Sequence, residues 1–300
     1  MSLIDTKKIY EEAKSAGFSL IDKKCEEIHN FVHARDVEGN TILNYAVLDD
    51  NYEFVKLLVE EHGACPLILN INSMSAILFA AESEDKRVFK FLFEEYENSW
   101  IPTDNDEIMA QCAARDCFEN LKYLLEKGVN PNSKYREDSM LIWAIQSENV
   151  EIVKLLVESG ADINGVNDEE ETPLLKAAPV GLTKIVEYLL SHGGDVAIDK
   201  TSSRGYTPVY IASCYGCADV VKLLLERGAD INICPKDGKT ALERALKYGH
   251  TDVVRLLLKR HTCNSLSNKE IKKLLKFANK TDDEELKSEI IELINQQENI

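Results

Sequence analysis

Apolar side chains recur along this chain at helical spacing, in short blocks that come in pairs. In residues 151–159 the stripe is Ile152, Val153, Leu155 and Leu156, and residues 219–227 repeat it almost position for position. Each of these blocks runs into the same five residues, Gly-Ala-Asp-Ile-Asn, at Gly160 and again at Gly228. A glycine just past an apolar stripe is placed to end a helix in the left-handed conformation. A second kind of block opens with Thr172 and Pro173, a helix cap followed by a first-turn proline, and then sets Leu174 and Ala177 on one face. The pattern predicts a unit of helix, turn, helix and hairpin-like loop, with positive φ needed at Gly205 or Gly238 in the loop. Such a unit cannot bury its apolar face alone, so neighbours must stack.

The unit recurs. Its anchors are Thr41, Ser75, Glu107, Ser139, Thr172, Thr207 and Thr240, spaced 34, 32, 32, 33, 35 and 33 residues apart. The period and the Thr-Pro-Leu-type opening resemble the ankyrin repeat, whose unit is about 33 residues. The resemblance spans residues 36–262. It implies an all-α repeat solenoid, a curved array of helix pairs with β-hairpin-like loops. The family's Thr-Pro-Leu-His histidine is missing throughout; Asn44, Leu78, Ala110, Ile142, Leu175, Tyr210 and Glu243 stand in its place. The second repeat lacks a helix-ending glycine at Tyr96, and Pro179 falls near the end of a first helix in the fifth.

The ends match less well. Residues 5–16 and 20–33 read as two amphipathic helices, giving an N-terminal capping repeat over residues 1–35. Residues 268–278 and 282–297 read as two more, a C-terminal cap over 263–300. There Leu274, Leu275, Phe277, Leu286, Ile290, Ile291 and Ile294 are expected to cover the open end of the stack, beneath a polar outer face.

Composition narrows the partners. The chain has 300 residues, 44% of them hydrophobic, enough for a continuous core. Its 35 basic and 52 acidic residues give a net charge of −17, which repels phosphate backbones and argues against nucleic acid. No apolar run reaches the roughly 18 residues of a membrane span. The start lacks a secretory apolar core, and eight irregularly spaced cysteines read as reduced thiols. A cytoplasmic protein, monomeric in isolation, is expected.

Local motifs that suggest chemistry have plainer readings. Gly238, Lys239 and Thr240 imitate the end of a phosphate loop, but Ile233 stands where its first glycine belongs. Cys214 and Cys217 form a CxxC without the second ligand pair that zinc needs, and Cys112 and Cys117 have only Arg115 nearby to activate a thiol. The scattered histidines suggest no metal site. No cofactor and no catalytic constellation emerge.

What the resemblance implies about function is binding through hairpin tips and the exposed ends of the first helices. Carried onto this sequence, the tips supply Tyr135, Arg136, Asp138, Glu169, Glu171, Arg204, Tyr206 and Lys239, and the helix ends supply Tyr215, Lys247 and Tyr248. The central tips are acidic and the last two repeats carry tyrosines with basic residues; tyrosine and arginine are the types that most often dominate interface energy. The expected partner is another protein, with a basic segment over the centre and an acidic or neutral one over the C-terminal repeats. The leading reading is an adaptor, scaffold or inhibitor. The alternatives are a microbial effector delivered into a eukaryotic host, and an enzyme with its site in a diverged segment such as 97–120 or 263–300.

Overall fold

The computed structural model describes residues 5–15, 32–83, 86–96, 102–260 and 266–298, with the backbone alone at 102–104 and 296–298. The helix expected over 20–33 lies almost wholly outside the described residues. The chain divides into two compact units, residues 1–130 and 131–300.

The first unit holds α1 (Thr6–Ser15), α2 (Ile42–Leu48), α3 (Tyr52–Glu60), α4 (Ala76–Glu82), α5 (Lys86–Tyr96), α6 (Pro102–Ala114) and α7 (Phe118–Glu126). α2, α4 and α6 pack on one another in one row, and α3, α5 and α7 in a second. Phe54, Phe89, Leu92 and Phe93 fill the core of the second row. α1 packs on α2, where two aspartates of the first repeat hold it. The Thr6 hydroxyl donates to Asp36 and to the Asn40 carbonyl, Tyr10 donates to Asp49 at 2.7 Å, and Lys14 pairs with Asp49 at 2.6 Å.

The second unit begins with a two-residue hairpin, β1 (Lys134–Tyr135) against β2 (Asp138–Ser139), in antiparallel register. It continues through α8 (Met140–Ile145), α9 (Val150–Glu158), α10 (Pro173–Ala177), α11 (Thr183–Ser191), α12 (Pro208–Tyr215) and α13 (Ala218–Glu226). It ends with α14 (Ala241–Tyr248), α15 (Thr251–Leu258), α16 (Asn268–Ala278) and α17 (Glu284–Glu298). The first helices α8, α10, α12, α14 and α16 pack in sequence, as do the second helices α9, α11, α13, α15 and α17. The C-terminal pair therefore continues both rows in the register of a repeat.

The turn chemistry follows the sequence. Thr172, Thr207 and Thr240 cap their helices by accepting the amides of Leu175, Tyr210 and Glu243 at 3.1–3.2 Å. Gly160 and Gly228 end α9 and α13 at φ +93° and +89°, and Gly205 and Gly238 take φ +82° and +64° in the loops. Pro179 turns the end of the fifth repeat's first helix into a short 3-10 segment, Ala178–Val180.

Four expectations need correction. α6 starts at Pro102, so Glu107 lies inside the helix and not at its cap. Ser75 occupies a cap position without making the side-chain bond. Leu155 is half-buried, leaving Ile152, Val153 and Leu156 as the buried stripe of α9. In the C-terminal pair Leu274, Leu286, Ile290 and Ile294 are buried, whereas Leu275 and Ile291 face solvent on the outer sides of α16 and α17.

Candidate interaction surface

All eleven residues expected to contact a partner belong to the second unit, and its loops join most of the tip residues into one ribbon. In the first loop Arg136 and Glu137 turn the chain at φ +48° and +70°. Arg136 lies over the Tyr135 ring, and Trp143 donates its indole N–H to the Tyr135 carbonyl at 3.0 Å. Trp143 is thus half-buried packing beneath the tip. In the next loop Asn167 donates its side-chain amide to Asp138 at 2.8 Å. Its carbonyl oxygen accepts the backbone amides of Glu169 and Glu171, which shapes the acidic turn. The ribbon passes on through Ser203 N–H, which donates to the Glu169 carbonyl at 2.8 Å, and through Arg204, whose guanidinium lies 3.7 Å from the Glu169 carboxylate. Gly205 then approaches Pro235 so closely that a Cβ would sit 3.0 Å from its Cα.

The tip residues are not equally available. Glu171 accepts from Asn167 and pairs with Lys176 at 3.0 Å, with its side chain only 17% exposed. Asp138 is engaged by Asn167. Glu169, Arg136 and Arg204 remain exposed.

The three tyrosines of the last two repeats separate in the same way. Tyr215 is 65% exposed and Tyr248 is 50% exposed, at the ends of the packed helices α12 and α14. Gly216 and Gly249 stop those helices at φ +76° and +78°. Lys247 lies over the Tyr248 ring. Tyr206 instead stacks on buried Tyr210, with ring centroids 5.3 Å apart and planes 6° from parallel. The Tyr210 hydroxyl accepts from Arg244 Nε at 2.6 Å, and Arg244 pairs with Asp237 at 2.6 Å. Burial pushes the Tyr210 phenol up to about 12. The Lys239 amide, with the Lys239 and Arg244 cations, holds Asp237 below the usual carboxylate range. Half-buried Tyr206 is therefore the lid of an internal stack more than a free contact.

Two residues that replace the family histidine have taken up work between repeats, which the sequence did not reveal. Tyr210 reaches Arg244 in the next repeat. Glu243, its side chain 3% exposed, lies between two lysines of α16: Lys269 at 3.1 Å and Lys273 at 2.9 Å. A signal was present in the lysine spacing 269, 273, 276 and 280, which puts a basic stripe on one helical face.

The thiols offer no activated nucleophile in the CxxC, since burial raises both Cys214 and Cys217 above the usual thiol range. Cys112 is raised by its bond with Cys117 and by burial, and the same bond lowers Cys117, which is itself buried. Lys239 and Thr240 serve the loop and cap of the seventh repeat. Among the described residues no helix is long and apolar enough to cross a membrane.

Comparison with known proteins agrees with this architecture. A family model described as ankyrin repeats in three copies matches residues 77–167, 108–199, 141–234 and 197–269, and the single ankyrin repeat model matches 38–71. Similar proteins include the E3 ubiquitin-protein ligase hecd-1 of Caenorhabditis elegans, 37% identical over 37% of this chain and 4% of the relative. The putative E3 ubiquitin-protein ligase XBAT34 of Arabidopsis thaliana is 36% identical over 36% of this chain and 29% of its own. Human transient receptor potential cation channel subfamily A member 1 is 26% identical over 80% of this chain and 28% of its own. The chain spans less than a third of each of these relatives.

Proposed function

The chain belongs to the ankyrin repeat family, and on that premise we propose that it holds a protein partner across the tips and first-helix ends of residues 131–300, as an adaptor, scaffold or inhibitor without a catalytic step of its own. The observation that carries this reading is the pair Tyr215 and Tyr248. Both rings protrude from adjoining helices whose opposite faces are packed. Large aromatic side chains held rigidly in solvent lose little conformational entropy on contact and are frequent anchors of interfaces. Relatives named for ubiquitin ligation and for cation conduction match over limited parts of their lengths, which supports a shared binding array over a shared reaction.

Tyr215→Ala with Tyr248→Ala is the test. Captured partner should be lost from the double variant while its melting temperature stays that of the parent. Tyr206 is left out because its stack on Tyr210 is structural. Retention of the same partners at unchanged affinity would remove this surface from consideration.

A further inference from the structure

The groove between α14 and α16 has a character opposite to that of the chain as a whole. It encloses about 370 Å³. Its lining contains six cationic side chains: Lys239, Arg244, Lys247, Lys273, Lys276 and Lys280. One carboxylate, Glu243, joins them, and Leu246 and Phe277 provide apolar surface. This concentration of positive charge occurs in a protein of net charge −17.

Internal pairing accounts for only half of it. Lys273 lies against Glu243, while Lys239 and Arg244 share Asp237. Among the described residues Lys247, Lys276 and Lys280 have no carboxylate within ion-pair distance, unlike Lys239, Arg244 and Lys273. A helix C-terminus favours a nearby cation, which explains one lysine in the last turn of each helix. It explains Lys247 on α14 and Lys276 on α16 separately. It does not explain why these two and Lys280 converge on a groove with an apolar wall, where like charges repel.

We propose that this groove takes an acidic segment of a protein partner, with Asp and Glu side chains against Lys247, Lys276 and Lys280 and an apolar side chain against Phe277 and Leu246. The inference rests on the interaction-module reading above and adds the chemistry of the occupant. A short acidic peptide satisfies both halves of the lining. An extended phosphate polymer would leave the apolar wall unused and would run on to a surface that repels it. The groove also adjoins Tyr248 through Lys247, so one partner can engage both.

The probe is a short fluorescent peptide with Glu and Asp around a central Leu-Phe pair, titrated into the full chain and followed by anisotropy. It should bind at low salt and weaken as salt rises. Replacing its acids by Gln and Asn, or replacing Leu-Phe by Ser-Ser, should weaken binding by about tenfold or more, a difference of about 1.4 kcal/mol. Lys247→Gln, Lys276→Gln and Lys280→Gln together should do the same with an unchanged melting curve, since all three side chains are exposed. Equal binding of acidic and amide peptides, or full binding by the triple variant, overturns the proposal. So does tighter binding of inositol hexakisphosphate or a thymidine oligonucleotide than of the peptide, which would make this a phosphate site. If the peptide fails while partner capture still depends on Tyr215 and Tyr248, the occupant is wrong and the interaction reading stands. If the peptide binds but capture ignores those tyrosines, the groove stands and the wider surface falls.

Discussion

Lys273→Met should destabilise the C-terminal repeats more than Glu243→Gln does, although the two changes break the same contact. The Glu243 side chain is 3% exposed, whereas Lys273 is 37% and Lys269 is 61% exposed. The carboxylate has given up its hydration and the ammonium groups have largely kept theirs. Lys273 Nζ sits 2.9 Å from Oε2 without hydrogen-bond alignment, so its contribution is chiefly charge compensation. Stranding a fully buried charge costs about 3–5 kcal/mol. Lys269 still faces the other oxygen, from a solvated position, and reduces this to about 2 kcal/mol. Neutralising the carboxylate frees two lysines that water can solvate and removes a buried charge, so its net cost should be about 0–1 kcal/mol. Native-state amide exchange reads the difference locally, because α14 and α16 open together when their shared contact fails. Exchange in α14 should accelerate by about thirtyfold in Lys273→Met and by less than about fivefold in Glu243→Gln. Equal acceleration in both, or the larger one in Glu243→Gln, refutes the argument from unequal desolvation.

Three further outcomes follow, two from packing and one from titration. Leu224 is fully buried between second helices, so Leu224→Ala should cost about 2–5 kcal/mol by urea unfolding; Leu92→Ala in the first unit should instead split unfolding into two steps, and one cooperative transition would count against local coupling there. Burial pushes the Asp36 carboxyl up, but bonds from Tyr45, the Asn40 and Glu38 amides and Thr6 outweigh it and hold it low; Lys14 and Tyr10 hold Asp49 low as well. Carboxylates with folded values below the unfolded value of about 3.9 stabilise the protein above that pH, and the stabilisation disappears as pH falls through the folded values. Acidification below about pH 4 should therefore release α1 before the repeats unfold, seen as early loss of amide protection in residues 6–15. Protection of α1 that persists until global unfolding would contradict the clamp.

The parts of the structure that depend on neighbours in sequence were legible. Thr172, Thr207 and Thr240 cap helices, and Gly160 and Gly228 stop them, because those roles are set by bonds within a few residues. The repeat period points to Glu107 for the start of α6, but the helix begins at Pro102, a proline well suited to a first helical turn. Exposure of Leu275 and Ile291, and the stacking of half-buried Tyr206 over buried Tyr210, depend on which face the adjoining helix covers. Periodicity gives the stripe but not its edges. The cationic groove was hidden for the same reason: its halves are about 30 residues apart and meet only because α16 continues the row of first helices.

The vacated histidine position has a consequence for how this stack comes apart. Helix pairs joined by packing alone fray one at a time from an open end. Tyr210 grips Arg244 one repeat onward, and Glu243 grips Lys273 in the helix after that. Opening the last pair thus pulls a bond out of the seventh repeat, and opening the seventh pulls one out of the sixth. Residues from α12 to α17 should leave the native state as one block, so the surface bearing Tyr215 and Tyr248 is protected by the integrity of the C-terminal helix pair as well as by its own helices.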